Sequence, residues 1–182
     1  NALGGAWSGA AANNTAVGND AMAANLTSAA VDNTTIGYQA GTAITSGASN
    51  VVIGSGAGVA ITTANKTIFI GQGAGEAVTV TNTSNVSDGT VGIGFEAHKD
   101  LTSGTGNIGI GYYANRSVTS GARNLAIGYQ SNKELQTGND NVMIGYNAAA
   151  SANDAGFDYN VGIGNYVFDG VASGIDAEGN VA

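Results

Sequence analysis

Apolar and polar residues recur along this chain in one eight-residue figure: Asn, apolar, small, Ile, Gly, any, any, Ala. Its plainest copy is Asn107 to Ala114, Asn-Ile-Gly-Ile-Gly-Tyr-Tyr-Ala. Close copies run from Asn50 to Ala57, Asn124 to Ser131 and Asn141 to Ala148, and looser ones begin at Asn14, Asn33, Thr67, Thr90 and Asn160. The last glycines of the nine copies are Gly18, Gly37, Gly54, Gly71, Gly94, Gly111, Gly128, Gly145 and Gly164, at gaps of 19, 17, 17, 23, 17, 17, 17 and 19. A dominant period of 17 across the chain predicts a stacked solenoid, whose units bury their apolar faces only against one another.

Within a copy the residues three and one before the repeat glycine are apolar, as in Val51 and Ile53 or Ile108 and Ile110. Such alternation predicts a short strand with one face turned inward. The expectation is that the Ile column is the inner spine. The residue between is often small (Gly92, Gly109, Ala126, Gly162), so the opposite face would admit close approach. The repeat glycine then marks a corner at positive φ. Seven residues after it a second apolar position recurs at Ile44, Ile61, Val78, Leu101, Val118, Leu135 and Val171, followed by Thr and Ser in several coils. That pattern predicts a second short strand ending in a turn. Gly, Thr and Asn dominate and no 3.6-residue period persists, so helix is not expected. The fold class is therefore all-β, a parallel β-solenoid of nine to ten coils, with stacked Asn amides forming a ladder. At roughly 4.8 Å per coil the rod is on the order of 45 Å long.

Residues 1–13 read as a degenerate coil or cap, with Trp7 closing the stack, and residues 14–182 as the repeat domain. The last residues, Gly179 to Ala182, read as the opening of a tenth repeat, so the expectation is a segment of a longer protein. Extra length falls in Thr79 to Gly89, with smaller insertions in Ser28 to Asp32 and Ala149 to Tyr159; a solenoid carries these as surface loops.

Composition narrows the function. The net charge is −8, with only 5 Lys and Arg in 182 residues, so the basic footprint of a nucleic-acid binder is missing. No apolar run approaches ~18 residues, so no membrane insertion is expected. The chain has no cysteine and therefore no disulfide or thiolate metal site. Each coil offers about three sizeable apolar side chains to its interior, a marginal core, and a homo-oligomer is expected to supply the rest.

Candidate chemistry is sparse. Tyr38, Phe95, Tyr112, Tyr129 and Tyr146 follow the repeat glycine and form an aromatic column; it could stack on sugar rings, or its rings could stack on one another between coils. Thr45, Thr62, Thr79, Thr102 and Thr119 form a column of the kind seen on ice-binding solenoids, but Gln136 breaks it, and surface β-propensity accounts for it more simply. Asp154 with Asp158 and Asp176 with Glu178 are oxygen pairs that lack the further ligands of a Ca²⁺ loop. The single histidine, His98, precedes Lys99 and Asp100 without a nucleophile set around it. Asn-x-Ser/Thr sequons occur at seven asparagines, Asn33 among them, which is also a ladder position. No catalytic, cofactor or metal residue is assigned, and an enzyme is not expected.

The unit seen as Asn-Ile-Gly-Ile-Gly-Tyr-Tyr-Ala (107–114), Asn-Leu-Ala-Ile-Gly-Tyr-Gln-Ser (124–131) and Asn-Val-Gly-Ile-Gly-Asn-Tyr-Val (160–167) resembles the head repeats of trimeric autotransporter adhesins. The form with Tyr after the glycine and Ala two further on, at 33–40 and 141–148, is closer to repeats in the tail fibres and spikes of bacteriophages and some algal viruses. The resemblance covers Asn14 to Val167. It implies a left-handed parallel roll in a homotrimer, a structural or host-attachment segment of an extracellular or virion-surface fibre, and a host glycan or other receptor as partner. A bacterial adhesin head and an ice- or glycan-binding solenoid are the alternatives.

Overall fold

The computed structural model describes residues 1–5, 11–78, 89–153, 156–171, 179 and 181–182. Nine three-residue strands are present among them: β1 (Thr15–Val17), β2 (Thr34–Ile36), β3 (Val51–Ile53), β4 (Ile68–Ile70), β5 (Val91–Ile93), β6 (Ile108–Ile110), β7 (Leu125–Ile127), β8 (Val142–Ile144) and β9 (Val161–Ile163). They form one parallel sheet in chain order, and like residues pair throughout: Ile53 with Ile70, Ile70 with Ile93, Ile93 with Ile110. The fold is an all-β solenoid with about 17 residues per coil, as the repeat predicts. The longer gaps leave the register intact, since β4 pairs in step with β5 across the 23-residue interval. Val181 bridges Val161 in parallel, laying the first rung of a tenth coil.

The repeat glycines sit at φ between 125° and 142°. A Cβ on Gly18 would stand 2.6 Å from the carbonyl oxygen of Gly37, and the same collision recurs up the column. Glycine is required twice over, by backbone angle and by the neighbouring coil. Positions two and four residues after it are also left-handed, with side chains in most coils: Gln39, Glu96 and Gln130 in one row, His98, Asn115 and Asn132 in the other. These residues turn their amides along the stack axis. Gln39 N donates to Asn19 O in the coil before, and Asn115 N to Ser131 O in the coil after. Hydrogen bonding between coils therefore continues through turns that are not strands, which offsets the cost of ~1–2 kcal/mol per left-handed residue.

The facing of the strand corrects the sequence expectation. The middle residue is the buried one: Val52, Phe69, Ala126 and Met143 are fully enclosed, while Ile108 and Ile110 on either side of Gly109 are 36% and 37% exposed. The Ile column points outward. The inner spine is the second apolar row, Ile44, Ile61, Val78, Leu101, Val118 and Leu135, all fully buried. No second strand carries that row; it lies among turns and bends. Period-2 alternation defines two faces without saying which is inner. Inside so thin a roll each strand has room for one small or reciprocal side chain, not for two branched ones.

The predicted amide ladder is present. Asn50 Nδ2 donates to Asn33 Oδ1 in the coil before (2.9 Å) and to Ala64 O fourteen residues on (2.8 Å). Its Oδ1 accepts from the Thr67 amide and hydroxyl. Asn124 repeats the arrangement with Asn107, Gly138 and Asn141. Both amide protons and both oxygen lone pairs are used, so a fully buried side chain carries no orphan group. The same side chain clasps its own coil and ties it to two others.

Candidate functional site

The outward face is built by the two flanking columns of the strand. Ile36, Ile53, Ile70, Ile93, Ile110, Ile127, Ile144 and Ile163 form one column, and Val51, Ile68, Val91, Ile108, Leu125, Val142 and Val161 the other. Each is half-buried or exposed, rising to 62% exposed at Ile163. With strands ~4.8 Å apart the strip is roughly 40 Å long. Monomeric proteins rarely leave a continuous apolar surface of that extent open to water.

Beside it, beyond the glycine corner, runs the aromatic row. Phe95, Tyr112, Tyr129 and Tyr146 stack face to face, with centroids 5.1, 5.1 and 5.2 Å apart and planes within 13°. The coil spacing sets this distance, and offset stacking is favourable at it. Each inner ring has a ring on both faces, so only edges and hydroxyls meet solvent. Sugar stacking needs a free ring face, which the inner members of the row do not offer. Tyr38 stands apart from them, with Ser55 and Gln72 filling the row between it and Phe95.

A charged network borders the row. Glu96 accepts from Lys99 at 3.0 Å and from Arg116 at 2.9 Å, and Lys99 also reaches Glu76 at 3.5 Å. Burial works to raise the Glu96 pKa, but the hydrogen bonds from Arg116 and Lys99 outweigh it and hold the carboxyl below its ordinary value. The Arg116 guanidinium lies 5.1 Å over the Tyr113 ring. Lys99 bridges Glu76 and Glu96, and Arg116 pairs with Glu96, so the network ties three turns of the stack.

The remaining sequence candidates resolve as follows. The Thr45, Thr102 and Thr119 hydroxyls donate to carbonyls of the next coil at 3.3, 2.9 and 3.1 Å, so each spends its proton on the stack. His98 lies inside the roll, fully buried, with neither ring nitrogen in hydrogen-bond geometry; burial lowers its pKa to about 3, against a smaller opposing pull from the Val91 backbone. Asp158 Oδ1 accepts from the Asn139 backbone and side-chain amides. Asn33 is fully buried in the ladder. Among the described residues no group of three or more His, Asp or Glu could hold a metal ion. Trp7, Thr79 to Asp88, Asp154, Asp176 and Glu178 lie outside the described residues. Sequence reading missed the outward apolar strip, though its signal was present: two branched residues flank a small one in coil after coil. No protein-family model, no curated protein and no solved structure matches this chain.

Proposed function

We propose that the chain is a structural segment of a homotrimeric fibre on a virion or cell surface, which carries or presents the parts that attach to a host. The observation that supports this most is the outward double column of Ile, Val and Leu running the length of the sheet. Covering it stabilises the roll where the roll is weakest, because the interior holds few large side chains. Like residues stand above one another, so a second copy laid alongside meets the same strip at every level. A closed ring of copies covers all strips and leaves none to recruit further chains. The number three rests on the resemblance of the Asn-x-x-Ile-Gly repeat to trimeric fibre repeats.

The role is mechanical: a stiff rod ~40 Å long whose coils are joined by the Asn ladder and by the axial hydrogen bonds of the turns. The test is immuno-electron microscopy with an antibody raised against the chain. Intact particles or cells that make the protein should carry label along surface projections. Label confined to the particle interior or the cytoplasm would remove the fibre reading.

A further inference from the structure

In the same two coils the aromatic row loses its rings and the row next to it its side chains. In the first row Ser55 and Gln72 stand where neighbouring coils place Tyr38 and Phe95. In the second, two residues after the repeat glycine, Gly56 and Gly73 stand between Gln39 and Glu96. Either change alone would thin the surface. Together they open a shallow notch of about 220 Å³, floored by these four residues, with Glu76 and Glu96 beside them. A Cβ on Gly56 would meet nothing within 4 Å, and one on Gly73 would touch Glu96 Cγ at 3.3 Å and Glu76 Oε2 at 3.4 Å. Phe95 begins the stacked ladder: Tyr112 covers one face of its ring, while the place in the row on its other side belongs to Gln72.

We propose that this notch is a binding site for an uncharged saccharide. Its chemistry is that of hydroxyl recognition. The Ser55 hydroxyl and the Gln72 amide supply donors and acceptors, and the Glu76 and Glu96 carboxylates acceptors, around a space that suits a small ligand. Gln72, and not a ring, holds the place beside Phe95, so the notch would bind through hydrogen bonds and not through stacking. The two carboxylates, and the chain's net charge of −8, disfavour an acidic sugar. Lys99 already bridges Glu76 and Glu96, at 3.5 and 3.0 Å, which takes the place a bound cation would need. The notch opens beyond the glycine corner and not on the Ile strip, so this proposal stands or falls independently of fibre assembly.

The test is an NMR titration of the ¹⁵N-labelled chain with glucose, galactose, N-acetylglucosamine and glucuronate, read at backbone amides. At least one neutral sugar should give saturable shifts centred on Gly56, Gly73, Glu76 and Glu96, with glucuronate at least tenfold weaker. Gly56→Gln fills the notch with a residue this row already carries at positive φ, at Gln39 and Gln130. It should weaken binding at least tenfold, and lower stability by no more than a left-handed side chain costs. Gln72→Tyr, which extends the ladder, should weaken binding as much. The proposal is overturned if no neutral sugar shifts these amides, if glucuronate binds best, or if both filled variants bind as the parent does.

Discussion

The Phe69 ring occupies the space that a Cβ on Gly92 would need: the added carbon would lie 2.9 Å from Phe69 Cδ1. The same reciprocity of large and small holds within each of the nine coils. The middle strand residue and the residue six further on share one interior slot, and one of the two is always Gly or Ala. Val52 packs against Gly58, Phe69 against Gly75 and Gly162 against Phe168, while Gly92 and Gly109 face Phe69 and His98 of the coil before. Interiors are packed to crystal density, so a slot this narrow takes one large side chain, from either side. Gly92→Ala should therefore destabilise by about 1–3 kcal/mol through overpacking. In a urea-unfolding cycle with Phe69→Val, the double variant should lose less than the two single losses combined.

The Asn ladder makes a sharper prediction. Asn124→Ala orphans the Gly138 carbonyl and the Asn141 side-chain and backbone amides, all at buried positions. At ~1–3 kcal/mol for each orphaned group, a loss of about 3 kcal/mol or more is expected. Asn124→Thr should cost less, because Thr67 holds the same place and its hydroxyl still reaches Asn50 Oδ1 at 2.7 Å. Hydrogen exchange should show the loss concentrated in β6, β7 and β8.

His98 sets an acid limb. Its folded pKa of about 3 lies below its ordinary 6.5 because burial disfavours the cation. Between those values the unfolded chain holds more protons than the folded one, so stability falls as pH drops from 6.5 towards 3, and the loss is complete below that. At pH 5 the effect is about 2 kcal/mol, from ~1.4 kcal/mol per unit. Asn is the residue at this place in the next two coils, Asn115 and Asn132. His98→Asn should fold and should flatten the pH dependence of the urea midpoint between pH 6.5 and 4, leaving the contribution of Glu96 and other paired carboxylates.

Much of this architecture can be read from residues alone. The period, the parallel in-register stacking, the Asn ladder and the glycine corners all follow from the recurrence of Asn50, Ile53 and Gly54 at fixed spacing. The facing of the strand does not. Ile108 and Ile110 around Gly109 alternate equally well inside-out, and apolar residues are expected inside. Only the reciprocal slot, which couples Gly109 to His98 of the coil before, shows that the small position is the inner one. The notch was likewise hidden. Ser55 and Gly56 look like ordinary drift until Gln72 and Gly73 are seen stacked beside them.

The outward strip predicts how assembly fails. Ile110→Lys with Ile127→Lys places two ammonium groups where the proposed interface is dry, a cost no partner group offsets. Within one coil stack both positions are partly open to water, at 37% exposure for Ile110, so the circular dichroism spectrum should be retained. The assembly should come apart. An unchanged mass for this variant would place the contact elsewhere.

Sedimentation equilibrium of the chain at several concentrations tests the account most directly. The proposed trimer predicts one species at three times 17.8 kDa. A constant mass of 17.8 kDa at every concentration would mean that the Ile columns stand in water unaided, and would contradict it.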